Sequence, residues 1–133
     1  MIPIAELKQE NREINDLRKV LSAVVGDGEM HTNSIFCELL ERFQAKLNLH
    51  IKHEARSLYP ELLCHKDKQI NQVAGRFLSN THELERLMNT YVKNWCHKLE
   101  ERELQQFIHE TEEVFHLVEE RIKLEEKHLF PMI

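Results

Sequence analysis

The stretch HIKHEARSLYP at residues 50–60 returns as RIKLEEKHLFP at residues 121–131. The two copies are offset by 71 residues and share Ile, Lys, Glu, Leu and Pro at matching places. They differ at their first position, where the first copy has His50 and the second has Arg121. The repetition indicates a chain made of two related halves, and the changed residue marks a place where the halves differ chemically.

Gly and Pro are scarce, strand-type alternation is absent, and good helix formers dominate the sequence. Breakers and caps divide the chain into four predicted helices. Short connections make neighbouring helices antiparallel, so we predict an all-α, up-down-up-down four-helix bundle of the haemerythrin-like type named below. We treat residues 1–133 as one domain. The predicted helices cover residues 3–25, 33–59 (or 34–59), 66–95 and 99–130, and the proposed halves are 1–65 and 66–133.

Ionisable side chains fall on the apolar faces of the second and fourth predicted helices. His50 and Glu54 are four residues apart, as are Arg121 and Glu125, so each pair lies on one helix face. Buried ionisable groups are costly unless they are paired or bind a metal. The stripes that contain them include Phe36, Leu39, Phe43, Leu47 and Leu58 in the second helix, and Phe107, Val114, Val118 and Leu129 in the fourth.

The offset of 71 residues also relates the first and third helices, where it pairs Asn11 with His82. A pseudo-twofold bundle would bring these positions together with the two pairs described above. A buried His bonded to a Glu is the simpler interpretation of His50 taken alone. The repeat favours an inward-facing cation site instead, because bundles bind metals through imidazoles and carboxylates from several helices. His82 lies at the edge of its apolar stripe.

The H-x-x-x-E phrase followed by L-[YF]-P resembles the haemerythrin-like (HHE cation-binding) family over nearly the whole chain. The resemblance implies a site that holds two irons bridged by two carboxylates. It also implies functions that range from O₂ binding and redox sensing to nitric oxide response and iron-centre repair. The six ligand positions implied for this chain are Asn11, His50, Glu54, His82, Arg121 and Glu125. The resemblance further implies that positions on the first and fourth helices serve one metal, and those on the second and third the other.

Two of these positions depart from the family, because Asn11 and Arg121 stand where His is expected. Arg cannot ligate iron, since it stays protonated and has no free lone pair. We expect its fixed charge to replace one cation between Glu54 and Glu125. The remaining residues, His50, Glu54, His82 and Glu125, would then bind a single Fe, Zn or Mn ion. Asn11 would be either a plain polar residue or a partner of Arg121 or of a metal-bound water.

Three functional hypotheses follow from this degenerate centre. The first is a mononuclear metal-binding protein with a sensory or regulatory role, a metal ion or small diatomic molecule being its ligand. The second is a metal-free regulatory module that binds a protein partner, with an Arg–Glu network in place of the metals. An enzyme ranks lowest, because the sequence contains no arrangement of catalytic residues such as a Ser-His-Asp triad or a phosphate-binding loop. The helix faces are compatible with a homodimer but do not predict one.

Composition narrows the partners and the location. The net charge is −5 and no basic stripe occurs, so nucleic acid is not an expected partner. The longest apolar runs are too short to cross a bilayer, and the sequence begins without an apolar signal segment. The three Cys are odd in number and lack a CxxC spacing, so we expect free thiols and a cytoplasmic location.

Overall fold

The computed structural model describes residues 3–26, 34–95 and 104–132, and this part of the chain contains helices and no strand. The predicted all-α class is therefore confirmed, and the long helices agree with the prediction within a few residues. The predicted turn at residues 27–28 and the predicted start at Leu99 lie outside the described residues. The elements are α1 (Ile4–Gly26), α2 (Ser34–Ser57), α3 (Tyr59–Leu63), α4 (Lys68–Trp95) and α5 (Leu104–Leu124), then a π-helical turn (Glu125–Leu129) and a 3₁₀ turn (Phe130–Met132).

Side-chain contacts show that the helices within each half are antiparallel. Glu13 of α1 meets Lys46 of α2, while Glu10, one turn earlier on α1, meets His50, one turn later on α2. Contacts between α4 and α5 follow the same rule. In the described part of the chain, no helix is both long enough and apolar enough to span a membrane.

Pro60 interrupts the second long helix without turning the chain away from the bundle. Proline has no N–H and crowds the preceding turn, so it is excluded from helix interiors but accepted in a first turn. Accordingly, α2 ends at Ser57 and α3 begins at Tyr59. The Leu58 N–H still donates to the Glu54 carbonyl at 2.8 Å. The break leaves Tyr59 buried beside Glu54, where its hydroxyl joins the site described below.

The interior consists of two apolar clusters separated by a polar layer. On each long helix, the buried polar residues lie between a member of the larger cluster and a member of the smaller one. The polar layer is formed by Asn11, His50, Glu54, Thr81, Arg121 and Glu125. The smaller cluster contains Leu7, Leu58, Tyr59, Leu62, Ala74, Phe77, Leu129 and Phe130.

Burial fixes the register that relates the two halves of the chain. The offset of 71 residues holds between α2 and α5, but α1 and α4 match at 70. At that offset Leu7 and Asn11 correspond to Phe77 and Thr81, all four of them buried, whereas His82 is exposed. The predicted pairing of Asn11 with His82 is therefore wrong by one residue. The same offset pairs Ile14 with Leu84, Leu21 with Tyr91 and Val25 with Trp95.

The cysteines differ from the expectation of free thiols. Cys37 takes part in a disulfide bond, and Cys64 is an exposed free thiol. Cysteines far apart in sequence can be joined when helix packing brings them together, and spacing alone does not reveal this. The cysteine count consequently gives no support for a reducing compartment.

Candidate metal centre

Three donor atoms converge in the polar layer. His50 Nε2 lies 2.6 Å from Glu54 Oε1 and 3.0 Å from Glu125 Oε1, and all three side chains are buried. The spacing of four residues on α2 brings the first two together, and the parallel run of α2 and α5 adds the third. Ligands bound to one cation at about 2.1 Å lie roughly 3 Å apart in neighbouring positions. The three atoms therefore have the separations of a ligand triangle.

Arg121 occupies the opposite side of the two carboxylates. Its Nε donates to Glu125 Oε2 at 2.9 Å and its Nη2 donates to Glu54 Oε2 at 3.1 Å. Each carboxylate thus turns one oxygen toward the guanidinium and the other toward His50. The head group does not extend to solvent, since only 3% of the Arg121 side chain is exposed. The expectation that Arg121 lies between Glu54 and Glu125 agrees with this geometry.

The remaining N–H groups of Arg121 also have partners. Nη1 donates to the Phe77 carbonyl at 2.9 Å and to Asn80 Oδ1 at 3.1 Å. Nη2 approaches the Tyr59 hydroxyl at 2.6 Å and Thr81 Oγ1 at 2.8 Å. The guanidinium also lies over the Phe77 ring, with Cζ 4.8 Å from the ring centroid. A buried cation is tolerated when it is paired and fully hydrogen-bonded, and Arg121 meets both conditions.

Glu10 on α1 holds the outer edge of the His50 ring. Its Oε1 lies 2.8 Å from His50 Nδ1, and its Oε2 lies 2.6 Å from His53 Nδ1. A carboxylate bonded to one ring nitrogen fixes the tautomer and aims the other nitrogen, as found behind metal-bound histidines. Glu10 therefore directs His50 Nε2 toward Glu54 and Glu125.

Burial and mutual charge separate the pKa values of these groups. Burial lowers the pKa of His50, but hydrogen bonds to Glu125 and Glu54 outweigh it and raise the pKa to about 11. Burial, together with the neighbouring Glu125 carboxylate, raises the pKa of Glu54 to about 7. For Glu125, burial is outweighed by hydrogen bonds and by the charges of His50 and Arg121, so its pKa is lowered. Glu54 is consequently the weaker acid of the pair.

Two buried polar groups in this layer lack hydrogen bonds. Glu54 Oε1 is close to His50 Nε2, but the Nε2–H is directed at Glu125 Oε1. Both atoms of the Asn11 amide are fully buried without a partner among the described residues. Such groups are uncommon and costly in folded proteins. An oxygen that faces two other donors without a proton of its own is suited to a cation.

Comparison with known families identifies the chain. The family model described as the haemerythrin HHE cation-binding domain matches residues 2–133. The chain belongs to the haemerythrin family. No curated protein and no solved structure matches it. As a member of this family it has a cation-binding fold, and His50, Glu54 and Glu125 form its candidate metal site.

The structure revises two details of the ligand positions that the family resemblance implied. His82 is exposed on α4 and is not part of the three-residue group, because Thr81 takes the inward position. The pairing of the helices also differs, since His50 contacts Glu10 of α1 and Arg121 contacts Thr81 of α4. Each half of the haemerythrin centre therefore draws on its own two helices. We leave His82 out of the ligand set proposed below.

The raised pKa of His50 predicts how stability depends on pH. Protonated His50 stabilises the fold, and this contribution is complete below the unfolded pKa of 6.5. It is lost as the pH rises toward the folded value of about 11. Urea unfolding of the metal-free protein at several pH values across this window should show a falling free energy. His50→Gln should flatten the decline and the exposed-site control His82→Gln should keep it; equal slopes in all three proteins would contradict the assignment.

Proposed function

We propose that this haemerythrin-family protein binds a single divalent cation through His50 Nε2, Glu54 Oε1 and Glu125 Oε1. Arg121 stands in the place of the second ion. The observation that carries the proposal is the division of both carboxylates between a guanidinium and an imidazole. This is the bridging arrangement that the family resemblance implies for two irons, with one of them replaced by a fixed organic cation.

The donor set limits the choice of metal. One imidazole and two carboxylates without a thiolate suit Fe(II), Zn(II) or Mn(II), and we favour Fe because of the family. Reversible O₂ binding in the manner of the family uses two irons, so the centre is better suited to sensing or regulation than to O₂ carriage. When bound, the metal would supply a Lewis-acidic position for a small ligand. A cytoplasmic location remains a prediction from the sequence.

Metal titration of matched variants tests the proposed site. Anaerobic calorimetric titration with Fe(II), repeated with Zn(II), should show one site in the natural protein. His50→Gln removes a ligand and should weaken binding by about 100-fold or more. His82→Gln should bind like the natural protein, because His82 is exposed and lies outside the cluster. Equal losses in the two variants would place the metal elsewhere, and circular dichroism confirms that both remain helical.

Glu10→Gln tests the orientation of His50 separately from ligation. The glutamine can still contact His50 Nδ1 but removes the negative charge that strengthens the bond. Metal affinity should fall by about 10- to 100-fold while the number of sites stays at one. The exposed Glu13 lies one turn away on α1, so Glu13→Gln serves as the control and should leave affinity unchanged. Unchanged affinity in Glu10→Gln would show that Glu10 does not support the site.

A metal-free regulatory module is the second candidate, and one observation favours it. His50 and Arg121 place two cationic side chains against Glu54 and Glu125, so the layer can be neutral without an ion. In that case the chain would act through contacts with a protein partner. The titration separates the candidates, because this one requires no saturable binding of Fe(II) or Zn(II).

A further inference from the structure

A second cavity lies outside the candidate metal centre, between α4 and the end of α5. It has a volume of about 430 Å³, within the range of small-molecule sites. Arg121 forms part of its inner wall, so the cavity adjoins the buried ionic layer. The other lining residues are Val73, Arg76, Phe77, Asn80, Leu124 and His128.

The lining of this cavity is cationic although the whole chain carries a net charge of −5. Arg76 and His128 are exposed at its surface, and no Asp or Glu is among the lining residues. Among the residues that the structure describes, Arg76 forms no ion pair or hydrogen bond. Its guanidinium is therefore available to an anionic ligand with two coplanar oxygens.

Asn80 adds a second donor whose orientation is determined by Arg121. Arg121 Nη1 can only donate, and it lies 3.1 Å from the Asn80 side-chain oxygen. The oxygen of Asn80 must then face Arg121, which leaves the NH₂ group for a ligand. A ligand bound there would be linked to Glu54 and Glu125 through two side chains, Asn80 and Arg121.

The rest of the lining is apolar. Val73 and Phe77 belong to α4, and Leu124 of α5 is 44% exposed, a high value for a leucine. A bare anion would leave this surface in contact with water, whereas an apolar body would cover it. We infer that the cavity binds a small monocarboxylate with an apolar body, its carboxylate held by Arg76 and Asn80. The inference does not depend on a metal at the centre.

Phenylacetate and phenylacetamide test the inference, because they share the apolar ring and differ in charge. Calorimetric titration should show one saturable phenylacetate site per chain and binding of phenylacetamide at least about tenfold weaker. Inorganic phosphate, which has charge without an apolar body, should also bind at least about tenfold more weakly. Equal affinity for phenylacetamide, equal affinity for phosphate, or no saturable phenylacetate binding would each overturn the proposal.

Three variants locate the bound carboxylate. Arg76→Gln should weaken phenylacetate binding by about tenfold, whereas Arg86→Gln, an exposed change farther along α4, should not alter it. Asn80→Asp places a carboxylate against the ligand and should abolish binding. The same change gives Arg121 an additional anionic partner, so the melting temperature should not fall. Unchanged binding in Arg76→Gln or in Asn80→Asp would contradict the site, as would an equal loss in Arg86→Gln.

Discussion

Replacing Arg121 with methionine should lower the free energy of unfolding by about 3–5 kcal/mol. The change removes one charge from a buried pair and leaves Glu54 and Glu125 facing each other without the guanidinium. It also leaves Tyr59 and Thr81 without the N–H group they share. Urea unfolding of the metal-free protein, followed by far-ultraviolet circular dichroism, measures the effect.

Two further variants show whether the loss arises from uncompensated charge. Arg42→Met changes an exposed arginine on α2 and should alter stability by no more than about 0.5 kcal/mol. Adding Glu54→Gln to Arg121→Met removes one buried carboxylate and should recover part of the stability. A loss below about 1 kcal/mol for Arg121→Met, or no recovery in the double variant, would show that the guanidinium does not compensate Glu54 and Glu125.

Replacing Thr81 and Arg121 with histidine should raise bound iron from one to two per chain. Loss of the guanidinium frees Glu54 Oε2 and Glu125 Oε2, which it now occupies. The two new imidazoles would lie on α4 and α5, where Thr81 and Arg121 already touch. The second half of the centre would then offer two nitrogens and two oxygens, a donor set suited to Fe(II) or Zn(II).

A matched double variant separates the new ligands from the loss of Arg121. Thr81→Ala with Arg121→Met frees the same carboxylate oxygens but supplies no imidazole, so iron should not rise above one per chain. The pair Asn11→His and Thr81→His leaves Arg121 in place and should also stay at one. Iron content that does not increase in the double-histidine protein would refute the assignment of Thr81 and Arg121 to one half-site.

Much of the fold and part of the site could be predicted from the repeated phrase. Helical periodicity placed His50 and Glu54 on the same stripe as buried apolar residues, and the structure shows both buried. The offset of 71 residues extended this to Arg121 and Glu125, because α2 and α5 match at that offset. Ionisable residues on an apolar face are informative because burying them without partners is expensive.

The rest of the site depends on details that a repeat does not contain. Thr81 rather than His82 faces inward because α1 and α4 match at one residue less, and the difference falls in the connections. Tyr59 had a signal in the sequence, since it replaces Phe130 at the matching place of an otherwise similar phrase. Glu10 had none, because a half-buried glutamate next to Asn11 cannot be distinguished from a solvent-facing one.

The ionic layer explains why the fold can be maintained after a metal position is lost. Two carboxylates directed into a bundle core need positive charge, and Arg121 provides it permanently because its pKa, although lowered by burial, is raised further by Glu125 and Glu54. Six of its contacts are hydrogen bonds to five different residues besides Glu125, so the charge is held in one geometry. Folding of this half therefore needs no metal, while the half formed by His50 keeps a ligand triangle.

The number of metal ions per chain tests the central claim most directly. The natural protein would be loaded anaerobically with Fe(II), freed of excess metal, and measured by elemental analysis against its own protein concentration. A guanidinium in one half of the centre and a ligand triangle in the other predict about one iron per chain. No bound iron would contradict the proposed site at His50, Glu54 and Glu125, and two irons would contradict the replacement of a metal by Arg121.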